Sequence, residues 1–181
     1  QPLPAMDGGP AMISADAPPV VAGLDYSSRA IDVAIMRGRK LLDLQKHPLG
    51  RDLRANVNIV ARLVMDLAEQ HPAKVCMEAP WFRIGKGFNA AMVIRDVSTG
   101  ILWLGAAAGL KIEPIQPNTW RAAVLGNGGL KRDEAKAASK LFVQRVYGLK
   151  VDDNAADAVC IATWAANTVA LERGRVMGGR R

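Results

Sequence analysis

Thiol and imidazole groups are scarce: the 181 residues include two cysteines and two histidines. Cys76 and Cys160 lie far apart with no CxxC or Cys/His spacing around them, so neither a zinc site nor a disulfide framework is encoded. Both fall in apolar runs and read as reduced core thiols, which suits a cytoplasmic protein. No apolar run approaches the ~18 uncharged residues that a spanning helix requires, so no membrane partner is expected. The GxxxxGK[ST] order of a P-loop is also missing. Residues 1–19 have no Lys or Arg and hold five of the ten prolines, so they can neither bury a core nor serve as a basic transit peptide. They read as a disordered tail or as residues foreign to the domain. Acidic residues are the minority, 17 against 24 basic, for a net charge of +7 and a pI near 9.8. That balance favours a polyanionic partner, of which nucleic acid is the commonest, although excess charge can also serve solubility alone.

What is present is organised by one stretch. VVAGLDYSS at Val20 to Ser28 runs apolar and small residues into Gly23, Leu24 and Asp25, then stops at a polar pair. Such a strand is buried on both faces, and an acid at its end is costly unless something cationic meets it. Asp25 therefore reads as a metal ligand or a phosphate-site acid. Two later acids sit in equally unfavourable places. Glu78 closes the apolar run from Lys74 to Met77, and Asp157 interrupts an Ala-rich helix that begins near Asp153. Three acids, each ending or interrupting an apolar element, make a set of hard oxygen ligands suited to Mg²⁺ or Mn²⁺. With the basic balance, they point to a metal-dependent nuclease.

Half of the residues are hydrophobic, enough for one domain with a real core. Ala30 to Arg37 alternates Ile31, Val33 and Ile35 with Asp32, Ala34 and Met36, the period of a half-exposed strand. Lys40 to Leu44 reads as a third strand after a short turn, and the three make an antiparallel meander. Leu53, Val57, Val60, Val64 and Leu67 then take helical spacing up to about His71, a crossover to the strand at 74–78. A long helix over 90–109 is apolar on more than one face through Val93, Leu102 and Trp103. Either it forms a subunit interface or it is wholly buried in the monomer. A strand over 110–116 follows, then helices over 118–125, 133–147 and 153–172. Residues 173–181, with Arg173, Arg175, Arg180 and Arg181, read as a flexible basic arm.

Two connecting segments carry further chemistry. Between Pro80 and Asn89 lie Trp81, Phe82, Arg83, Gly85, Lys86, Gly87 and Phe88, directly after Glu78. Aromatics and cations in so flexible a stretch suit base stacking beside phosphate contacts, the alternative being a local mini-core. GNGGLKR, Gly126 to Arg132, reads as a loop whose glycines admit a phosphate and whose Lys131 and Arg132 supply charge.

Strand order and motifs together resemble a known family. GLDYSS at Gly23 to Ser28, VCMEAP at Val75 to Pro80, and DDNAADAVCIA at Asp152 to Ala162 are similar to the three acid motifs of RuvC-like Holliday junction resolvases, in order and with similar spacing. The likeness covers about residues 20–171. It implies an α/β, RNase H-like nuclease domain over 20–172, with a mixed five-stranded sheet of three antiparallel strands and then two parallel ones, flanked by helices. By resemblance Asp25, Glu78 and Asp157 hold two Mg²⁺ ions, replaceable by Mn²⁺. The family has a further acid or His three residues before the last Asp, where this chain has Asn154. Asp153, one turn before Asp157, is the favoured substitute, because i−3 and i−4 share a helix face. The resemblance further places Trp81 and Phe82 near a junction's crossover, beside Arg83 and Lys86, and Arg121, Lys131 and Arg132 on the DNA. It implies a homodimer that resolves four-way junctions by paired nicks with 5′-phosphates, in a bacterial cytoplasm or, for a phage-borne relative that accepts other branched DNA, in its host's. Two other readings stand beside it. GLDYSS also resembles the phosphate turn of actin and sugar-kinase ATPases, and Asn154 at an acid position suits a non-catalytic DNA-binding protein on the same fold.

Overall fold

The computed structural model describes residues 17–80 and 88–178. Along them run β1 (Val20–Tyr26), β2 (Ala30–Arg37), β3 (Lys40–Pro48), α1 (Leu53–Glu69), β4 (Lys74–Glu78), α2 (Phe88–Ala107), β5 (Ile112–Ile115), α3 (Pro117–Leu125), α4 (Arg132–Tyr147) and α5 (Asp153–Gly178). The strands form one sheet in the order β3-β2-β1-β4-β5. β1 to β3 are antiparallel neighbours, while β4 and β5 run parallel to β1. This is the mixed sheet the sequence implies, with β1 at its centre.

Strand alternation sorts the core into two layers. Ala22, Leu24, Ile31, Val33, Ile35, Val75 and Met77 face α1 and α2, where Val60, Leu63, Val64, Val97 and Ile101 meet them. Val21, Ala34, Met36 and Cys76 face α5, whose Ala156, Ala158, Val159, Cys160, Ile161 and Ala162 are fully buried. Small residues let α5 lie almost on the sheet. A Cβ placed on Gly23 would stand 2.2 Å from the Ala162 nitrogen and 2.5 Å from the Ala158 carbonyl oxygen. This close approach brings an acid on α5 down to an acid on β1. The β2–β3 hairpin closes through Gly38, at a φ of 59° that only glycine adopts freely.

Four expectations change. β2 is buried on both faces rather than half-exposed, since Ala34 and Met36 lie under α5. β3 continues past Leu44 to Pro48 because the ladder to β2 carries it there; at an exposed edge, polar Gln45, Lys46 and His47 need no apolar alternation. α5 continues through 173–178 with no proline to stop it, and Arg173 donates to the Ala17 carbonyl oxygen, so those residues are helix rather than a free arm. Residues 1–16 and 179–181 lie outside the described part. Finally, Asn89–Ala107 is, by length and composition, apolar enough to cross a membrane, with a mean hydropathy of 1.3. It carries the charges of Arg95 and Asp96, which are adjacent and pair at 2.7 Å, and such charges mid-helix are costly inside a bilayer. Nor is the helix wholly buried: Val97 and Ile101 pack inward, whereas Trp103 is 77% exposed.

Candidate active site

Asp25 sits near the end of β1 and Glu78 is the last residue of β4, on parallel neighbouring strands. By alternation both side chains stand on the α5 face, with Gly23 and Cys76. Asp157 lies in the second turn of α5, one helical turn before the Gly23 crossing. Asp25 and Asp157 are each 7% exposed; the Ser139 hydroxyl on α4 is close enough to favour the Asp157 carboxylate, yet neither Asp157 Oδ1 nor Ser139 Oγ makes a hydrogen bond of ordinary geometry. Burial raises the Asp25 carboxyl well above the ordinary range, and the charges of Glu78, Asp157 and Asp32 add to that rise. Glu78 is raised by burial and then by Asp157; Asp157 is raised chiefly by burial. Three buried carboxylates, each with its proton affinity raised, occupy one end of the sheet.

A cationic wall faces them. The Arg121 guanidinium, on α3, lies 4.0 Å from Glu78 Oε2 and stacks over the Trp120 ring at 5.0 Å. Trp120 itself is fully buried and donates its indole N–H to Glu78 Oε2 at 3.3 Å, which orients that carboxylate. Arg132, at the start of α4, and Lys136, one turn on, act electrostatically on Glu78 and Asp157 respectively. Among the described residues no three His, Cys, Asp or Glu side chains close into a ready-made ligand cage. Like charges in so dry a place hold apart unless a cation joins them. An all-oxygen donor set with an orphaned buried oxygen fits a hard divalent cation.

No protein-family model matches the chain, and no curated protein matches its sequence. Solved structures do. The Thermus thermophilus RuvC structure superposes with a TM-score of 0.66 at 20% identity, over 86% of this chain and 96% of that one. T. thermophilus RuvC in complex with Holliday junction substrate gives 0.64 at 21%, over 80% and 91%. The fowlpox virus Holliday junction resolvase gives 0.55 at 16%, over 83% and 99%. The chain has a RuvC fold. That fold is RNase H-like, as the order of sequence elements implies, and at these identities the likeness concerns the fold.

On the RuvC frame the sequence-derived residues divide into three groups. Asp25, Glu78 and Asp157 come together, joined by Arg121 and Arg132. Asp153 does not join them: Lys136 at 2.6 Å and Lys140 at 2.9 Å hold its carboxylate toward α4. Asn154, three residues before Asp157, is half-buried. Lys131 caps α4 at the surface. Trp81, Phe82, Arg83 and Lys86 lie outside the described residues. The glycines of the 126–132 loop have local duties: Gly126 ends α3 at a φ of 78°, and Gly128 packs against the Asn118 carbonyl. Trp120 and Lys136, which touch this cluster, were not singled out in the sequence, nor was Asp32, the register partner of Asp25.

A pH dependence follows from the raised acids. Asp25, Glu78 and Asp157 bind a proton more readily folded than unfolded. The stability they contribute is therefore full below the ordinary values, 3.8 for Asp and 4.5 for Glu, and is lost as pH rises through the higher folded values. Asp153 has the opposite sign. Its lysines hold it down to about 2, so its contribution is present above 3.8 and is lost as pH falls toward 2. Thermal melts in EDTA, stepped upward from pH 4.5, should show a falling Tm that Asp25→Asn flattens and that Mg²⁺ offsets. A wild-type profile as flat as that of the mutant contradicts the repulsion.

Proposed function

We propose that this chain is a metal-dependent endonuclease that resolves branched DNA, four-way junctions foremost. One observation carries the reading: Asp25, Glu78 and Asp157 converge at one end of the sheet, beneath Arg121, Arg132 and Lys136. The fold shared with T. thermophilus RuvC in complex with Holliday junction substrate and with the fowlpox virus Holliday junction resolvase supports it. Asp25, Glu78 and Asp157 would hold Mg²⁺, or Mn²⁺ in its place, with Asn154 or a released Asp153 at the rim. Bound there, two such ions would supply an activated water and charge stabilisation for the leaving 3′-oxygen, which would give 5′-phosphate ends. The chain's own residues do the rest. Arg121 and Arg132 neutralise and orient the scissile phosphate, Trp120 fixes the Glu78 carboxylate, and the buried setting strengthens each of these contacts. Trp81 and Phe82 would stack on bases unpaired at the crossover, with Arg83, Lys86 and Lys131 on phosphates.

The reading includes a homodimer, because a four-way junction is two-fold symmetric and needs paired cuts. Its support is the outer face of α1 and α2. There Leu53 and Val57 are exposed, and they line with Val60, Val93, Val97 and Leu104 an apolar groove near the exposed Trp103. A cruciform-bearing plasmid tests both points. Two nicks within one binding event give linear product that ligase reseals; open circles that accumulate before linear DNA, or ends that ligase rejects, count against the dimer or the polarity respectively.

A further inference from the structure

We propose that Asp32 is an additional carboxylate of the same metal centre, set directly across the strand pair from Asp25. The inference rests on the metal-nuclease reading. Asp32 and Asp25 are register partners in the antiparallel β1–β2 ladder, and directly opposed residues share a face with Cβ atoms roughly 4.5–5.5 Å apart. Asp32 therefore stands on the α5 side with Asp25 and Glu78. It is 1% exposed, and neither carboxylate oxygen has a hydrogen-bond partner. Asp157 Oδ1, reaching the same interior from α5, is likewise buried without one.

As a structural residue Asp32 makes little sense. The rest of β2 on that face is Ala30, Ala34 and Met36, all buried. A carboxylate among them, opposed to another carboxylate, is destabilising unless a cation is near. The cation in place is Lys46 on β3, 3.6 Å from Asp32 Oδ1. Lys46 is half-exposed and makes its closer contact with Asp152, so it does not need Asp32. Lys46 screens Asp32 in the metal-free protein and gives way when a dication arrives. The donor balance agrees: Asn154 brings no charge and Asp153 is held by Lys136 and Lys140, so Asp32 restores a fourth carboxylate.

Mn²⁺ titrations of the full chain without DNA, followed by electron paramagnetic resonance, test this on wild type, Asp25→Asn, Asp32→Asn and Lys46→Met. Asp32→Asn should weaken Mn²⁺ binding by about 10–100-fold, the loss typical even of residues that only support a metal ligand. It should melt no lower than wild type in EDTA, and Lys46→Met should bind Mn²⁺ more tightly. If Asp25→Asn weakens binding and Asp32→Asn does not, Asp32 is no part of the centre. Equal losses of melting temperature in Asp32→Asn and Lys46→Met, with Mn²⁺ affinity unchanged, would also overturn the proposal and make the pair a structural tether. Should Asp32→Asn fail to fold, Lys46→Met decides, and an unchanged affinity overturns the inference. A wild type that binds no Mn²⁺ overturns the nuclease reading itself.

Discussion

Asp25→Asn, Glu78→Gln and Asp157→Asn should each leave a protein that binds four-way junctions at least as tightly as wild type and cuts them at least about 10³-fold more slowly. The rate loss follows from chemistry supplied only through these carboxylates. Metal-assisted hydrolysis draws several kcal/mol of transition-state stabilisation from its ions, and every ~1.4 kcal/mol is tenfold in rate. Binding moves the other way because each substitution removes a negative charge from a surface that must meet a polyanion. It also relieves a buried repulsion, so the variants should fold: Asp25 alone faces the charges of Glu78, Asp157 and Asp32. Single-turnover cleavage beside a gel-shift titration separates the two effects. Asp157→Asn cutting at the wild-type rate would show that α5 contributes no ligand.

The second large effect involves no charge. Gly23→Ala should cost about 3 kcal/mol of stability, the upper end for overpacking, because the new methyl meets backbone rather than a side chain that can swing away. Its nearest neighbours would be the Ala162 nitrogen at 2.2 Å and the Ala158 carbonyl oxygen at 2.5 Å. α5 must then move off the sheet and carry Asp157 with it. A shift of about 1 Å in a catalytic group can cost about 10²-fold in rate, so cleavage should fall further than the lost folded fraction explains. Denaturant melts and cleavage at a temperature where the variant is fully folded check both parts. A Gly23→Ala protein that melts and cuts like wild type would mean that α5 is not seated on β1 as described.

Much of this was legible in the sequence because the informative residues break local rules. Asp25 and Glu78 terminate apolar strands and Asp157 interrupts a helix of small residues, so each is visible without its neighbours. Strand order was legible from the meander and the crossover helix. Asp32 was not recognised, because an acid within an alternating strand looks like an ordinary solvent-facing residue. Only the layer formed by α5, more than a hundred residues later, makes it buried. Asp153 shows the converse. Helical spacing allows it to reach the site, but Lys136 and Lys140 on a separate helix decide where its carboxylate goes. Trp120 and Lys136 depend in the same way on contacts between elements that no local pattern encodes. The extent of β3 escaped for another reason, since an edge strand is set by its ladder and needs no apolar period.

The most direct test of the central claim is one gel: four-way junction, replication fork, flap and linear duplex of matched sequence, incubated with the protein in Mg²⁺ and in EDTA. Mg²⁺-dependent nicks at the branch point, fastest on the four-way junction, and an intact linear duplex are the expected result. Cleavage in EDTA, equal cutting of duplex and junction, or no cutting of any substrate in Mg²⁺ or Mn²⁺ would contradict it.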